Sequence, residues 1–227
     1  MSVELNQIIP WGRTREEYEL MFGLTKAELQ GKILGCGDGP ASFNAEMTRA
    51  GFSVVSADPI YFCSGAEIAA RFEATSATII EQVRARLHKW NWDYHRDPDG
   101  LLINRRKALS QFLADYEAGR QAGRYQIAAL PELPFADGHF DLALCSHLLF
   151  LYSEHLPEGF HVRSVTELCR VAREVRIFPL LTLSHQTSPH LAAVRARLGQ
   201  AGWASEIVRV PYEFQKGGNE MLRIFRP

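Results

Sequence analysis

The sequence is poor in cysteine and has no excess of charge of either sign. Its 227 residues include four cysteines, and 25 lysines and arginines stand against 26 aspartates and glutamates. This balance offers no general electrostatic attraction to nucleic acid or to an acidic membrane surface, so neither is expected as a partner. The cysteines lie far apart and form no CxxC pair, which indicates reduced thiols in a cytoplasmic protein.

Long apolar runs, internal repeats and low-complexity tracts are also missing. No apolar run approaches the roughly 20 residues that a helix needs to cross a bilayer, and the first residues turn polar too early for a secretory signal. The eight histidines do not have the spacing of metal ligands, so no metal site is expected. The length suits one domain with a sizeable core, and we expect a single domain over residues 1–227.

The clearest local pattern that is present lies in residues 31–59, GKILGCGDGPASFNAEMTRAGFSVVSADP. A buried strand ends at Ile33 and Leu34, a glycine-rich turn follows, and a helix over 41–50 leads to a second strand over 52–57. This βαβ unit indicates a parallel sheet. The same alternation of strands and helices continues downstream and closes with two strands over 206–211 and 221–225. The further predicted elements are strands over 125–129, 142–145 and 175–181, and helices over 14–29, 158–172 and from Ser188-Pro189 to about Gly202.

The expected fold is therefore a Rossmann-like α/β domain. We predict a seven-stranded, mostly parallel sheet with an antiparallel last strand. An unusually long connection, residues 60–123, separates the second strand from the third and contains two amphipathic helical patterns, the second ending at Gly119. A crossover in such a fold needs only about a dozen residues. We interpret this segment as a helical insertion that covers the ligand side of the sheet as a lid.

The turn after the first strand and the residue after the second strand carry the chemical signal. Glycines at Gly35, Gly37 and Gly39 let a backbone approach a ligand closely, although tight turns also use glycine for steric reasons alone. Asp58 stands where an acidic residue accepts the hydroxyls of a ribose, a device common to enzymes that use NAD and enzymes that use S-adenosylmethionine (SAM). The alternative is a solvated turn residue. A GxGxxG fingerprint fails because Pro40 occupies its third glycine position, which weakens the dinucleotide interpretation.

A third segment distinguishes between these cofactors. Residues 130–147, LPELPFADGHFDLALCSH, resemble the class I SAM-dependent methyltransferases, especially the methyltransferase type 11 group. In that group an LPF turn, a DGxFD turn and a strand ending in small or polar residues follow one another. The resemblance extends in order over about residues 31–181 and implies SAM as the cofactor.

The resemblance also implies roles for individual residues. The turn backbone would lie against the methionine part of SAM, Asp58 would hold the ribose, and the Leu130 amide would face the adenine. Arg13 is a candidate for the cofactor carboxylate, with an exposed structural arginine as the alternative. The candidate cofactor residues are Arg13, Gly35, Cys36, Gly37, Asp58, Pro59, Leu130, Cys145 and Ser146.

His147 is the candidate catalytic residue, because a histidine beside the methyl donor can remove a proton from an acceptor near neutral pH. A structural histidine at a strand end is the equal alternative. Tyr152, Tyr212 and Asn219 are candidate substrate residues from their place beyond the strand ends, where each is also typical of a structural role. We expect methyl transfer to a small organic molecule. A SAM-binding regulatory module and a nucleotide-cofactor oxidoreductase are the alternatives, and a homodimer stays open.

Overall fold

A seven-stranded sheet runs through residues 11–227, the part of the chain that the structure, a computed structural model, describes. The strands lie in the order β3-β2-β1-β4-β5-β7-β6, and β7 is antiparallel to both of its neighbours. This confirms the predicted mostly parallel sheet of seven strands. The strands are β1 (Lys32–Cys36), β2 (Ser53–Ala57), β3 (Tyr125–Gln126), β4 (Phe140–Ser146), β5 (Ala172–Phe178), β6 (Ala204–Arg209) and β7 (Glu220–Phe225). The prediction about a secretory signal rests on residues 1–19, of which 1–10 lie outside the described part.

The described part of the chain contains six α-helices. They are α1 (Arg15–Phe22), α2 (Phe43–Arg49), α3 (Gly65–Arg84), α4 (Pro98–Gln121), α5 (Glu158–Val171) and α6 (Leu191–Gln200). Short 3-10 turns occupy Glu28–Gln30, Pro59–Phe62, Leu87–Lys89 and Phe150–Tyr152. Within the described residues, no helix is both long enough and apolar enough to cross a membrane.

The two faces of the sheet pack against different helices because side chains alternate along each strand. Leu34 of β1 packs on one side with Leu168 of α5 and Val194 of α6. Ile33 packs on the other side with Tyr18 of α1 and with α2. The buried layers hold the strand ends in place on both sides of the sheet.

Some boundaries differ from the predicted ones for local reasons. The helix predicted over 14–29 ends at Gly23, which takes a left-handed conformation with φ 57°. Gly119 does not cap α4. It lies inside the helix, where an added Cβ would stand 2.3 Å from the ring of Tyr125, so glycine is needed there for close packing. Ser188-Pro189 precede α6, which starts at Leu191.

The long connection between β2 and β3 contains α3 and α4. Their apolar sides meet in an aromatic cluster that includes Tyr61, Phe72, Phe112 and Tyr116. The Tyr116 hydroxyl donates to the backbone carbonyls of Tyr61 and Cys63 at 3.0 and 2.9 Å, which ties α4 to the chain just after β2. The helical pair is thus held at the edge of the sheet where β2 and β3 end. Its action as a lid stays a prediction.

Candidate active site

A cavity of about 310 Å³ lies at the carboxyl ends of three neighbouring strands. Cys36 at the end of β1 is in register with Ala57 of β2 and Cys145 of β4, so the loops that follow these strands meet at one edge. Ligands of open α/β sheets bind at this edge. Predicted residues that line this cavity are Arg13, Cys36, Gly37, Asp58, Pro59, Leu130, Ser146 and His147.

Two glycines of the loop after β1, Gly37 and Gly39, present backbone to this cavity. Gly37 and Gly39 have φ angles of 71° and 52°, which L side chains rarely adopt. An added Cβ on Gly37 would also stand 2.5 Å from the Leu148 side chain. Its amide donates to the Ala57 carbonyl at 2.9 Å and holds the loop on β2. The loop therefore needs glycine for its conformation and for its close packing.

Asp58 closes the opposite wall and binds the glycine loop. Its Oδ2 accepts from the Gly39 amide and its Oδ1 from the Ile60 amide, each at 2.8 Å. Burial raises the pKa of this carboxyl, against the lowering effect of the two amides. Each carboxylate oxygen can accept more than one hydrogen bond, so Asp58 keeps capacity for a ligand in the cavity it lines.

Asp38 is a site residue that the sequence reasoning missed. It is buried, lines the cavity, and accepts hydrogen bonds from the Tyr18 hydroxyl and the Ser56 hydroxyl, each at 2.7 Å. Burial raises the pKa of Asp38 to about 7, although the two hydroxyls act in the opposite direction. The only sequence signal was an acidic residue inside the glycine turn, because Tyr18 and Ser56 come from other elements.

His147 lies where this cavity adjoins a second one, and it lines both. Its φ is 52°, and its amide donates to the Phe178 carbonyl at 2.6 Å. Its Nδ1 is 2.9 Å from Ser146 Oγ, and that hydroxyl is placed to donate to the Met21 sulfur at 4.0 Å. Burial, together with the positive charges of Arg13 and Arg105, holds the pKa of His147 well below its usual range.

The second cavity, of about 120 Å³, has mostly aromatic and aliphatic walls. Tyr152 and Tyr212, both predicted on the substrate side, line it, as do Trp90 from the α3–α4 connection and Phe214 from the β6–β7 connection. Trp90 and Phe214 stack with their ring centroids 4.6 Å apart. The long insertion and the closing hairpin therefore build one wall together.

A buried polar network supports that wall. Arg105 of α4 donates to both oxygens of Glu17 of α1, at 2.8 and 2.6 Å, and both side chains are almost fully buried. The Tyr212 hydroxyl donates to Glu17 at 3.0 Å and lies 3.0 Å from Nε2 of His95, whose Nδ1 is 2.9 Å from the Asn104 amide. Although burial alone raises it, the pKa of Glu17 is lowered to about 2 by Arg105. Burial lowers the pKa of His95 to about 3, so that ring is neutral.

Three predicted residues lie apart from the cavity walls. Gly35 faces the Asp38 carboxylate. Cys145 is completely buried in the core, where burial raises the pKa of its thiol to about 12. Asn219 lines neither cavity, and its carbonyl accepts from the Val210 amide at 2.9 Å within the hairpin. Within residues 11–227, no cluster of three or more histidine, cysteine or acidic side chains could hold a metal ion.

The strand order, with β7 antiparallel between β5 and β6, defines the fold as the Rossmann-like type expected for class I methyltransferases. In sequence, the chain is 31% identical over 225 residues to the uncharacterized protein MJ0045 of Methanocaldococcus jannaschii, and the match covers 99% of each chain. The chain belongs to the family of that protein. No model of a known protein family matches the sequence.

Methyltransferases are among the solved structures with a similar fold. Magnesium protoporphyrin IX methyltransferase (ChlM) from Synechocystis PCC 6803, crystallised with SAM, is 14% identical; the match covers 88% of this chain and 73% of that one, with a TM-score of 0.46. A putative SAM-dependent methyltransferase (mmp1179) from Methanococcus maripaludis is 12% identical, with 93% and 83% covered and a TM-score of 0.45. A SAM-dependent methyltransferase from Aquifex aeolicus is 14% identical, with 92% and 87% covered and a TM-score of 0.43.

Proposed function

We propose that the protein transfers a methyl group from SAM to an oxygen or nitrogen atom of a small organic molecule. The observation that carries this proposal is one cavity at the carboxyl ends of β1, β2 and β4 that joins the glycine loop, Asp58 and His147. Bound SAM would supply an electrophilic methyl group on its sulfonium. In the transfer the S–CH3 bond breaks, an O–CH3 or N–CH3 bond forms, and S-adenosylhomocysteine (SAH) remains.

The charges in the cavity favour a sulfonium cofactor over a dinucleotide. Asp38 and Asp58 both line it, and Asp38 lies within the glycine turn itself, where a dinucleotide would place its pyrophosphate. The Asp38 carboxylate would repel a pyrophosphate at that position, whereas it suits the ammonium group of SAM. This charge pattern supports a methyl donor rather than an oxidoreductase.

Each wall of the cavity has a role in this proposal. The backbone of Cys36 and Gly37 would hold the methionine part, and Asp38 would face its ammonium group. Asp58 and the adjoining Pro59 would hold the ribose. Leu130 would contact the adenine, Ser146 would lie beside the sulfonium, and Arg13 would lie at the junction of the two cavities.

His147 would receive the acceptor's proton. Its Nδ1 lies within hydrogen-bond distance of Ser146 Oγ, and the lowered pKa keeps the ring neutral at pH 7. A neutral imidazole within reach of both cavities can accept a proton as the acceptor atom attacks, and can release it later to solvent. Holding the two reactants in line would supply most of the acceleration.

A cytoplasmic location belongs to the same proposal and is supported by four buried cysteines that form no disulfide. The experiment that tests the function compares SAH, SAM and NAD as stabilising ligands in thermal unfolding and calorimetry, since a ligand of the folded state raises the melting temperature. SAH and SAM should bind, and NAD should not. Stabilisation by NAD alone would favour the oxidoreductase, and failure of SAH and SAM at millimolar concentration would refute the proposal.

A further inference from the structure

The second cavity has the size of a single ring. Its volume is about 120 Å³, and an engineered apolar cavity of about 150 Å³ is known to hold benzene. Trp90 and Phe214 form one wall and Phe178 contributes to the rest, so the surfaces suit a flat apolar body. Trp11, Arg13 and His147 line both cavities, which places the second cavity directly beside the first.

Among the described residues, Arg13 is the one permanently charged residue that lines the second cavity. Within the described part of the chain its side chain makes one hydrogen bond, from Nη1 to the Trp11 carbonyl at 3.0 Å. Its Nε is buried and finds no partner there. Buried N–H groups are rarely left without an acceptor in folded proteins. The guanidinium therefore keeps donors for a ligand with acceptor oxygens.

The charges around Arg13 lead to the same conclusion. The Glu17 carboxylate acts on the charge of Arg13, but it accepts from Arg105 twice, from Tyr212, and from the amide and hydroxyl of Thr14 at 3.0 and 3.4 Å. Those five bonds use its acceptor capacity. Across residues 11–227 Arg13 forms no ion pair, so the buried group of Arg13, Arg105 and Glu17 carries one positive charge in excess. A buried charge of this kind needs a counter-ion.

We propose that the second cavity binds the methyl acceptor and that this acceptor is a single-ring acid whose carboxylate pairs with Arg13. The identification of this acid as the methyl acceptor rests on the proposed methyltransferase function. The binding of an acid in the second cavity is argued from the geometry alone. The ring lies along Trp90 and Phe214, and the carboxylate pairs with the Arg13 guanidinium. His147, between the cavities, then faces the ring substituent that receives the methyl group.

A carboxylate at Arg13 has two sources, the acceptor acid and the methionine part of the cofactor, and matched probes separate them. Benzoate and its neutral analogue benzamide report on the second cavity by ligand-observed NMR, with and without saturating SAH. SAH and methylthioadenosine, which lacks the amino-acid part, report on the first cavity. Wild type should bind benzoate at least tenfold more tightly than benzamide.

Three variants complete the test. Arg13→Gln should abolish the preference for benzoate, whereas Arg13→Lys should retain part of it. Arg71→Gln is the matched control, because Arg71 lines only the first cavity. Should Arg13→Gln fail to fold, Arg13→Lys decides alone, and its preference for benzoate should be smaller than that of wild type.

The outcomes distinguish the proposals. No benzoate binding to wild type, or an equal preference in wild type and Arg13→Gln, overturns the acid site. A loss of SAH affinity in Arg13→Gln that spares methylthioadenosine and benzoate assigns Arg13 to the cofactor and also overturns it. Benzoate binding that depends on Arg13 in a protein that binds no SAH would support the acid site and refute the methyltransferase function.

Discussion

The carboxylate of Asp38 occupies the space that a side chain on Gly35 would need. A Cβ added to Gly35 would stand 1.9 Å from Asp38 Oδ2, well inside contact distance. Gly35 is therefore required by its neighbour rather than by a ligand, and the carboxylate is held beside the strand end by Tyr18 and Ser56. The glycine turn therefore places the Asp38 carboxylate in the cavity as well as accessible backbone.

The first prediction concerns the proton on Asp38. With a pKa of about 7, this carboxyl is largely protonated at pH 6, and the ammonium group of SAH should favour its ionised form. SAH binding should therefore release a proton and tighten as the pH rises through 7. Calorimetry in buffers of different ionisation enthalpy measures this release. Asp38→Asn should abolish it, and methylthioadenosine, which has no ammonium group, should release none.

The same carboxyl should also affect the stability of the free protein. Because its pKa is raised in the folded state, the folded protein binds the proton more tightly than the unfolded chain, and stability is lost as the pH rises from about 4 to about 7. The loss is at most about 4 kcal/mol, from about 1.4 kcal/mol per pKa unit. Urea denaturation should show a shallower decline in Asp38→Asn. An identical decline in both proteins would contradict the raised pKa.

The second prediction concerns Asp58. Charge-assisted hydrogen bonds contribute roughly 1.5–3 kcal/mol, so Asp58→Ala should weaken SAH at least about tenfold. Methylthioadenosine, which keeps the ribose, should lose affinity by a similar factor, unlike in Asp38→Asn. Asp58→Asn is the necessary control because Asp58 also accepts from the Gly39 and Ile60 amides. Unchanged affinity for SAH in a folded Asp58→Ala protein would show that Asp58 is only a turn residue.

The third prediction concerns the buried pair of Glu17 and Arg105. Removing one partner of a buried ion pair costs about 3–5 kcal/mol, because the other charge is left without compensation. Arg105→Met should lower the free energy of unfolding by that amount, and adding Glu17→Gln should cost much less than a second loss of the same size. Urea denaturation of the single and double variants measures this. The exposed pair of Arg106 and Glu73 is the control, where Arg106→Met should cost less than about 1 kcal/mol.

The fourth prediction concerns the insertion over residues 60–123. Arg105 anchors α4 to α1 through buried charges, so α4 should move little, and ligand-dependent closure should be confined to α3 and the connection to α4. Hydrogen exchange with and without SAH should show added protection at α3 and at Trp90, and little change around Arg105. Protection that follows protein concentration and ignores ligand would instead identify a dimer contact.

The parts of the fold that follow from local sequence could be predicted, and those that depend on distant partners could not. The glycine loop and Asp58 stand out because a βαβ unit lies within thirty residues of sequence. Asp38 did not stand out, since its burial depends on Tyr18 from α1. The acid site depends on Trp11, Arg13 and Trp90, which meet only after the insertion has packed against the hairpin. The position of Gly119 inside α4 could not be predicted, because Tyr125, the neighbour that requires glycine there, lies in the next strand.

Two adjoining cavities share Arg13 and His147, so the two ligands proposed for them should be thermodynamically dependent on each other. A group that contacts both occupants cannot favour one without altering its affinity for the other. Linkage requires the effect to be reciprocal: the factor by which an acid changes the affinity for SAH equals the factor by which SAH changes the affinity for the acid. Under the proposed function, the affinity for SAH and the affinity for the acceptor acid are therefore linked by a single coupling free energy.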